Sequence, residues 1–475
     1  MKTIAWAFVA LAAAAAAGPS RTAARSFRAR PEPDPSSPGE SQASPVGRLL
    51  RADPIQIVAA FPGDSAVGPK ITPDNVGAAG PDHVVDFTCA NLVVHDKKTG
   101  KVLSRKSQVE FWKDLGFQDL HPNDPRFLFD PLSGRWIGTI ADDRVHHLYL
   151  AVSTTSDPTG PWKGIKTPFD SPDFGFRAGV DRNGYYGCWW NRNKDIHTMM
   201  TCGAIPKEDL IAAGGPDLSH VQVFPDLEIE SFPETDLDPR KAPGAPEILL
   251  HREFGNSFSK MYLYKITWTG KVAAISKVQE LPLGKTYFSP NGSSQQNQAL
   301  QPAPGAPLRA DEGRRTSCVY TFGDSVFSCN EAKRDPKTRP GIFWCEVRKS
   351  DGQVLQEGLI DSPDCDYLAP SLAVDARGNV GIGCTRSSAS EFPSACVMGR
   401  KATDPRNVMG DPVLAFKGTT VFTATKPGAI AWGNYNSTCI DPADPTLFWT
   451  SQEYAGSSTP NQWSTCWVAF RLHPN

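Results

Sequence analysis

One short grammar recurs along this chain and limits its fold more than any other feature. A few small or apolar residues end in an aspartate, a turn of Pro, Gly, Asn or Ser follows, and a second apolar run completes the unit. It stands as "PRFLFDPLSGRWIGTIADD" (125–143), "FRAGVDRNGYYGCWWNRN" (176–193), "PSLAVDARGNVGIGCTRSS" (370–388) and "NSTCIDPADPTLFWTSQEY" (436–454). The physical reading is strand, tight turn, strand. An aspartate before such a turn accepts backbone N–H groups two residues on and fixes the reversal. Gly 40 and Pro 42 suit a chain of many short strands.

Weaker copies fall at Asp82, at Asp238 and near Gln301. The anchors at 82, 130, 181, 238, 301, 375 and 441 are separated by 48 to 74 residues. That spacing holds four short strands with their loops, the content of a propeller blade. The second unit parses in full as "RFLFD", "RWIGTI", "HLYLAVST" and "WKGIKTPF", with "SDPTGPW" (156–162) as the last turn. The sixth repeats the plan, with "KATDP" (401–405) after its third strand. The last unit runs out after three strands, and "IQIVAAF" (55–61) is placed to supply the fourth. A strand from the other terminus removes the open edges that a sheet must otherwise guard. The expectation is an all-β chain forming a single β-propeller of seven four-stranded blades, closed by an N-terminal strand. Six or eight blades, or a pair of β-sandwiches, are the alternatives.

The first residues, "MKTIAWAFVALAAAAAAGPSR", place one lysine before an apolar run that ends in small residues ahead of Gly18-Pro19. That is the layout of a secretory signal peptide, and a run of about 15 residues is shorter than the roughly 20 a spanning helix needs. Residues 19–52 begin with a stretch rich in Pro, Ser and Arg that cannot bury enough surface to fold. The expected organisation is a signal peptide at 1–18, a disordered linker at 19–52 and the propeller at 53–475. The protein is then secreted, with no transmembrane segment. A net charge of −2 gives no reason to expect nucleic acid as a partner.

Eleven cysteines fit export, and none forms a C-x-x-C pair, which disfavours zinc or redox motifs. Spacing suggests cross-strand disulfide bonds at Cys188/Cys202, Cys318/Cys329, Cys384/Cys396 and Cys439/Cys466, with Cys345/Cys365 a weaker fifth and Cys89 left over. Glycosylation sequons begin at Asn291 and Asn436.

The segments "SDPTGPW", "AVDARGNVGIG" and "AWGNYNSTCIDPADPTLFWTSQEYA" resemble those of secreted β-propeller proteins of bacterial style. The likeness covers most of residues 70–470. More distantly the chain is similar to sialidase- and arabinanase-type carbohydrate-active propellers, whose third strand often ends in a related Ser-x-x-x-Gly-Pro-Trp turn. The resemblance implies a fold and a location. It supplies no catalytic residues.

In a propeller the turns between first and second strands lie on one face. The loops between second and third strands, and the connections between blades, lie on the other, around the channel mouth where ligands usually bind. Asp130, Asp181, Asp375 and Asp441 therefore read as structural. On the ligand face, four loops place an arginine just after the second strand: Arg144, Arg192, Arg252 and Arg386. Cations gathered on one surface call for an anionic counterpart, and guanidinium forks suit carboxylate or sulfate. The alternative is local pairing with Asp142, Asp143, Asp195, Glu253 or Glu391.

His146, His251 and Tyr454 are candidate general bases, and Glu253, Glu391 and Glu453 candidates for a glycosidase-type carboxylate pair. Trp189 and Trp190 are candidates for stacking on sugar rings, although alternation puts at least one of them inside the sheet stack. Asp366, Tyr367 and Trp432 to Tyr435, including Asn434, should line the channel. Acids and amides there can hold a structural Ca²⁺, with hydrogen bonding between blades as the other reading.

No Ser-x-Asp-x-Gly-x-Thr-Trp box, H-E-x-x-H, G-x-S-x-G or Walker A sequence is present, and "FRAG" (176–179) is a poor match to the Phe-Arg-Ile-Pro motif of sialidases. Two functions remain. One is a secreted protein that binds, and as a lyase or hydrolase cleaves, an acidic polysaccharide or glycan. The other is a non-catalytic propeller that binds a surface protein or glycan.

Overall fold

The computed structural model describes residues 55–67, 72–142, 144, 147–170, 177–190, 200–227, 232–290, 298–310, 318–426 and 428–472. The repeated grammar becomes antiparallel sheets. In the second unit, Pro122–Asp130, Arg135–Asp142, His147–Ser153 and Trp162–Asp170 pair in chain order. Asp130 Oδ1 accepts the Leu132 amide at 3.1 Å, Asp181 Oδ1 the Asn183 and Gly184 amides at 2.7 and 2.8 Å, and Asp375 Oδ1 the Arg377 and Asn379 amides at 2.8 and 2.9 Å. The turn chemistry expected of these aspartates is thus met by backbone donors.

Among the described residues there are six four-stranded sheets, one five-stranded sheet and one of three strands. The first sheet opens with Val76–Ala79, the third with Arg177–Val180, the fourth with Phe232–Pro233, the fifth with Cys318–Phe322, the sixth with Asp366–Val374 and the seventh with Ser437–Ile440. Each opening strand touches the opening strand of the next sheet, and the seventh touches the first, so they close a ring around one hub. This is a β-propeller. Thr235 makes parallel bridges to Val180 on one side and Tyr320 on the other. Close approach at the hub depends on glycine: a Cβ on Gly179 would lie 2.2 Å from the Glu234 carbonyl oxygen.

Apolar layers fill the space between neighbouring sheets. Phe87, Phe127 and Trp136 pack between the first and second, Leu148, Tyr185 and Trp189 between the second and third, and Leu250, Val319 and Phe343 between the fourth and fifth. The N-terminal strand Ile55–Val67 pairs antiparallel with Gln462–Leu472 and becomes the outermost strand of the seventh sheet. Closure therefore joins the two ends of the described chain, over a longer strand than residues 55–61.

Three expectations need correction. The fifth blade does not turn near Gln301. It turns at Gly323 and Asp324, while Gln298–Ala299 joins Leu308–Ala310 and Ile430–Trp432 in the small three-stranded sheet. Cys439 and Cys466 cannot be bridged, because they lie on the first and third strands of one sheet with Trp449 opposite one and Gln452 opposite the other. Two strand spacings, about 10 Å, exceed disulfide reach. Cys345 packs between the fourth and fifth sheets, whereas Cys365 packs against the cluster shared by the fifth, sixth and seventh. By contrast Cys188 faces Cys202, Cys318 faces Cys329 with sulfurs 3.8 Å apart, and Cys384 faces Cys396, all as free thiols. The Asn436 side chain is buried and donates to the Ala369 carbonyl at 3.0 Å, so that sequon is not open to a glycan. Asn291 lies outside the described residues.

Candidate functional site

The opening strands enclose a largely apolar hub cavity of ≈ 130 Å³. Val76 to Ala79, Arg126 to Phe129, Phe232, Val319, Tyr320, Leu372 and Tyr435 are among its walls. Two arginines of the opening strands stand on the side away from the aspartate turns. Arg126 and Arg177 each stand four residues before a turn aspartate, Asp130 and Asp181, and so occupy equivalent heights in adjacent sheets.

Tyr435 joins these two arginines. The Arg126 guanidinium carbon lies 3.7 Å from the centre of the Tyr435 ring, and that of Arg177 lies 5.0 Å from it. Arg177 Nη1 donates to Tyr435 Oη at 3.2 Å, and Tyr435 Oη donates to Asp124 Oδ1 at 3.0 Å. Arg177 also lies over Phe232 at 4.7 Å. Stacking of this kind suits a weakly hydrated guanidinium that must leave water. Arg126 is 8% exposed and lines the cavity; its Nη1 donates to the Pro125 carbonyl, and its Nη2 has no hydrogen-bond partner among the described residues.

His251 and Arg252 stand toward the same end of the fourth sheet. Both are fully buried at the end of the second strand of the fourth sheet, Glu247–Arg252. Arg252 lies 4.5 Å over Phe258 and donates to the Glu253 carbonyl at 3.0 Å. Burial, then the charges of Arg252 and Arg177, hold the His251 imidazole well below its usual basicity, so it is neutral at neutral pH. Neither ring nitrogen has a hydrogen-bond partner among the described residues. A neutral imidazole beside two guanidinium groups is a base or a hydrogen-bond donor that adds no positive charge.

The other sequence candidates fall into separate settings. Arg144 is exposed, with its amide bonded to Asp142 Oδ1 at 2.8 Å. Arg386 makes a two-pronged pair with Glu391 at 2.8 and 2.7 Å, the local pairing that was the alternative for these arginines. Arg192 and His146 lie outside the described residues. Glu253 is half-buried and accepts the Ser259 amide at 2.9 Å. Glu453 is fully buried and accepts the Gly433 amide at 2.6 Å; burial raises its pKa, the Gly433 bond opposes that and Asp74 adds to it. These carboxylates belong to the fourth, sixth and seventh sheets and are each engaged locally. Tyr454 is half-buried against Phe416, with ring centres 4.8 Å apart.

Trp189 is buried in the layer between the second and third sheets, and Trp190 ends its strand. Asp366 is buried, accepts the Leu300 amide at 2.7 Å and is bridged by Arg339, which is the hydrogen-bonding reading of that connection. Asn434 takes a left-handed backbone, φ 59°, and donates to Thr72 Oγ1 at 3.0 Å and Asp74 Oδ1 at 2.6 Å. Arg126 and Arg177 were not among the sequence candidates. Their signal was present in "PRFLFD" and "FRAGVD", an arginine four residues before the turn aspartate, in the first strand rather than at the end of the second.

No family model matches the chain, and no curated protein matches it. Solved structures with a similar course include Kluyveromyces lactis Hsv2, at 9% identity and a TM-score of 0.38, covering 86% of this chain and 98% of that one. The N-terminal domain of Nup159 gives 7% identity and a TM-score of 0.39 over 90% and 98%. Drosophila Semaphorin 1b, extracellular domains 1-2, gives 7% and 0.35 over 89% and 88%.

Proposed function

We propose that this chain is an exported, seven-bladed binding propeller that holds an acidic group of an extracellular glycan or surface protein at the hub end where Arg126 lines the cavity and Arg177 stands against Tyr435 beside it. Residues 1–18 are read as its signal peptide and 19–52 as its linker. The observation that carries the reading is Arg126, a buried guanidinium facing the cavity with one nitrogen that no described group accepts from. A buried donor left without a partner is costly, and a ligand carboxylate supplies one. Tyr435 holds the guanidinium in place before ligand arrives, which lowers the ordering cost of binding.

The test is a binding screen of the purified protein against uronate-bearing, sulfated and neutral polysaccharides at two salt concentrations. Binding confined to the acidic polymers, and weakened by salt, supports the reading. Equal binding to neutral polymers contradicts it.

A second reading, a polysaccharide lyase, is favoured by one observation: His251 is neutral and lies close enough to Arg177 to feel its charge. In a lyase the guanidinium neutralises the uronate carboxylate while a base removes the neighbouring proton. Appearance of unsaturated uronate product in the same screen selects it, and binding without product selects the non-catalytic propeller.

A further inference from the structure

On the opposite face, each turn aspartate that meets a lysine does so across a sheet boundary. Asp130 meets Lys207 at 2.5 Å, and Asp441 meets Lys97 at 2.9 Å. One acid and one ammonium balance. Asp181 follows the same plan with Lys241 at 2.7 Å, but there the balance fails. Glu234 lies 2.6 Å from the Lys241 ammonium, Asp236 3.6 Å and Glu247 3.7 Å. Lys349 reaches Asp236 at 3.5 Å and Glu234 at 4.0 Å. Two ammonium groups therefore face four buried carboxylates.

Glu247 marks where charge is missing. It is fully buried, and neither carboxylate oxygen has a hydrogen-bond partner among the described residues. Oxygen atoms from Asp181, Glu234 and Glu247 all lie within 4.8 Å of one another. Ligand oxygens about 2.4 Å from one ion stand at most about 4.8 Å apart, which is calcium's range. The donor set is all oxygen, which suits a hard cation. Asp181 keeps its other oxygen on Asn183, Gly184 and Tyr186, and Glu234 its other oxygen on Thr321, so the carboxylates are already oriented. An open cleft lined by Asp236, Asp238, Lys241, Asp324 and Lys349 borders the cluster and gives a route in.

We propose that Asp181, Glu234 and Glu247 bind Ca²⁺ between the third and fourth sheets, in competition with the Lys241 ammonium. The ion takes the place the ammonium now fills, and Lys241 turns into the cleft toward Asp238 and Asp324. The site is independent of the arginine rim and lies on the other face.

The experiment uses the full chain after chelator treatment. Calcium binding is measured by titration calorimetry, and the thermal midpoint is followed against CaCl₂ and MgCl₂. One calcium per chain and a calcium-dependent rise in midpoint are expected. Glu247→Gln should weaken binding by at least about tenfold, because it removes a charged ligand while keeping shape. Lys241→Met should bind calcium more tightly than the unmodified chain and should require it for folding. Absence of calcium binding to the unmodified chain overturns the proposal. Binding that survives Glu247→Gln unchanged overturns it as well.

Discussion

The guanidinium of Arg126 sits 3.7 Å over the ring of Tyr435, whose hydroxyl accepts from Arg177 and donates to Asp124. One phenol thus arranges two cations and an acid at the mouth of the hub. Tyr435→Phe keeps the ring beneath Arg126 and deletes the hydroxyl. It should cost about 1–3 kcal/mol of stability, since buried partners lose their bonds. Urea unfolding checks this, and a cost near zero would show that water replaces the hydroxyl.

Deleting residues 1–67 removes the strand Ile55–Val67 and bares the Gln462–Leu472 edge. It also removes Asp64, which receives bonds from Thr88, Asn91 and Arg105 of the first sheet. The shortened chain should unfold at lower denaturant, with loss of a single transition, and should associate through the exposed edge. Chemical unfolding with light scattering measures both. A monomer of unchanged stability would speak against closure by this strand.

Three thiol pairs face one another across neighbouring strands: Cys188 and Cys202, Cys318 and Cys329, Cys384 and Cys396. Protein recovered from an oxidising compartment should carry these three disulfides and leave Cys439, Cys466, Cys345 and Cys365 reduced. Peptide mapping under non-reducing conditions decides it, and a Cys439–Cys466 bridge is the result that would not fit.

Two buried groups should give opposite pH signatures. The folded pKa of His251 lies below its ordinary 6.5, so its contribution is present above that value and is lost as pH falls below it. The loss reaches about 1.4 kcal/mol per pH unit for one proton. Glu453 has a folded pKa above its ordinary 4.5, so its contribution is present below that value and is lost as pH rises toward the folded value. His251→Asn should flatten the stability curve on the acid side of 6.5, and Glu453→Gln should flatten it above 4.5. Unfolding midpoints measured across pH 4 to 8 test both signs.

The blade plan was legible because an aspartate turn is a local device: the carboxylate, the amides it accepts and the flanking strands lie within a few residues, as at Asp375 and Asn379. The fifth blade hid its turn at Gly323 and Asp324 because glycine does there what aspartate does elsewhere. The partners of the turn aspartates were not legible, since Lys207, Lys97 and Lys241 are brought to Asp130, Asp441 and Asp181 by the winding of the sheets. The same holds for the rim. Arg386 looked like a rim cation until its strand placed it against Glu391, and Arg126 looked like a strand residue until closure brought Tyr435 beneath it from the far end of the chain.

The central claim is that the Arg126 guanidinium receives an acidic group. Its most direct test is a calorimetric titration of uronate oligosaccharide into the unmodified chain and into Arg126→Gln, at low and moderate salt. The account predicts salt-sensitive binding that weakens at least about tenfold in the variant, as expected for loss of a buried charged hydrogen bond. Equal affinity in both proteins, in a variant whose unfolding midpoint is unchanged, would contradict it.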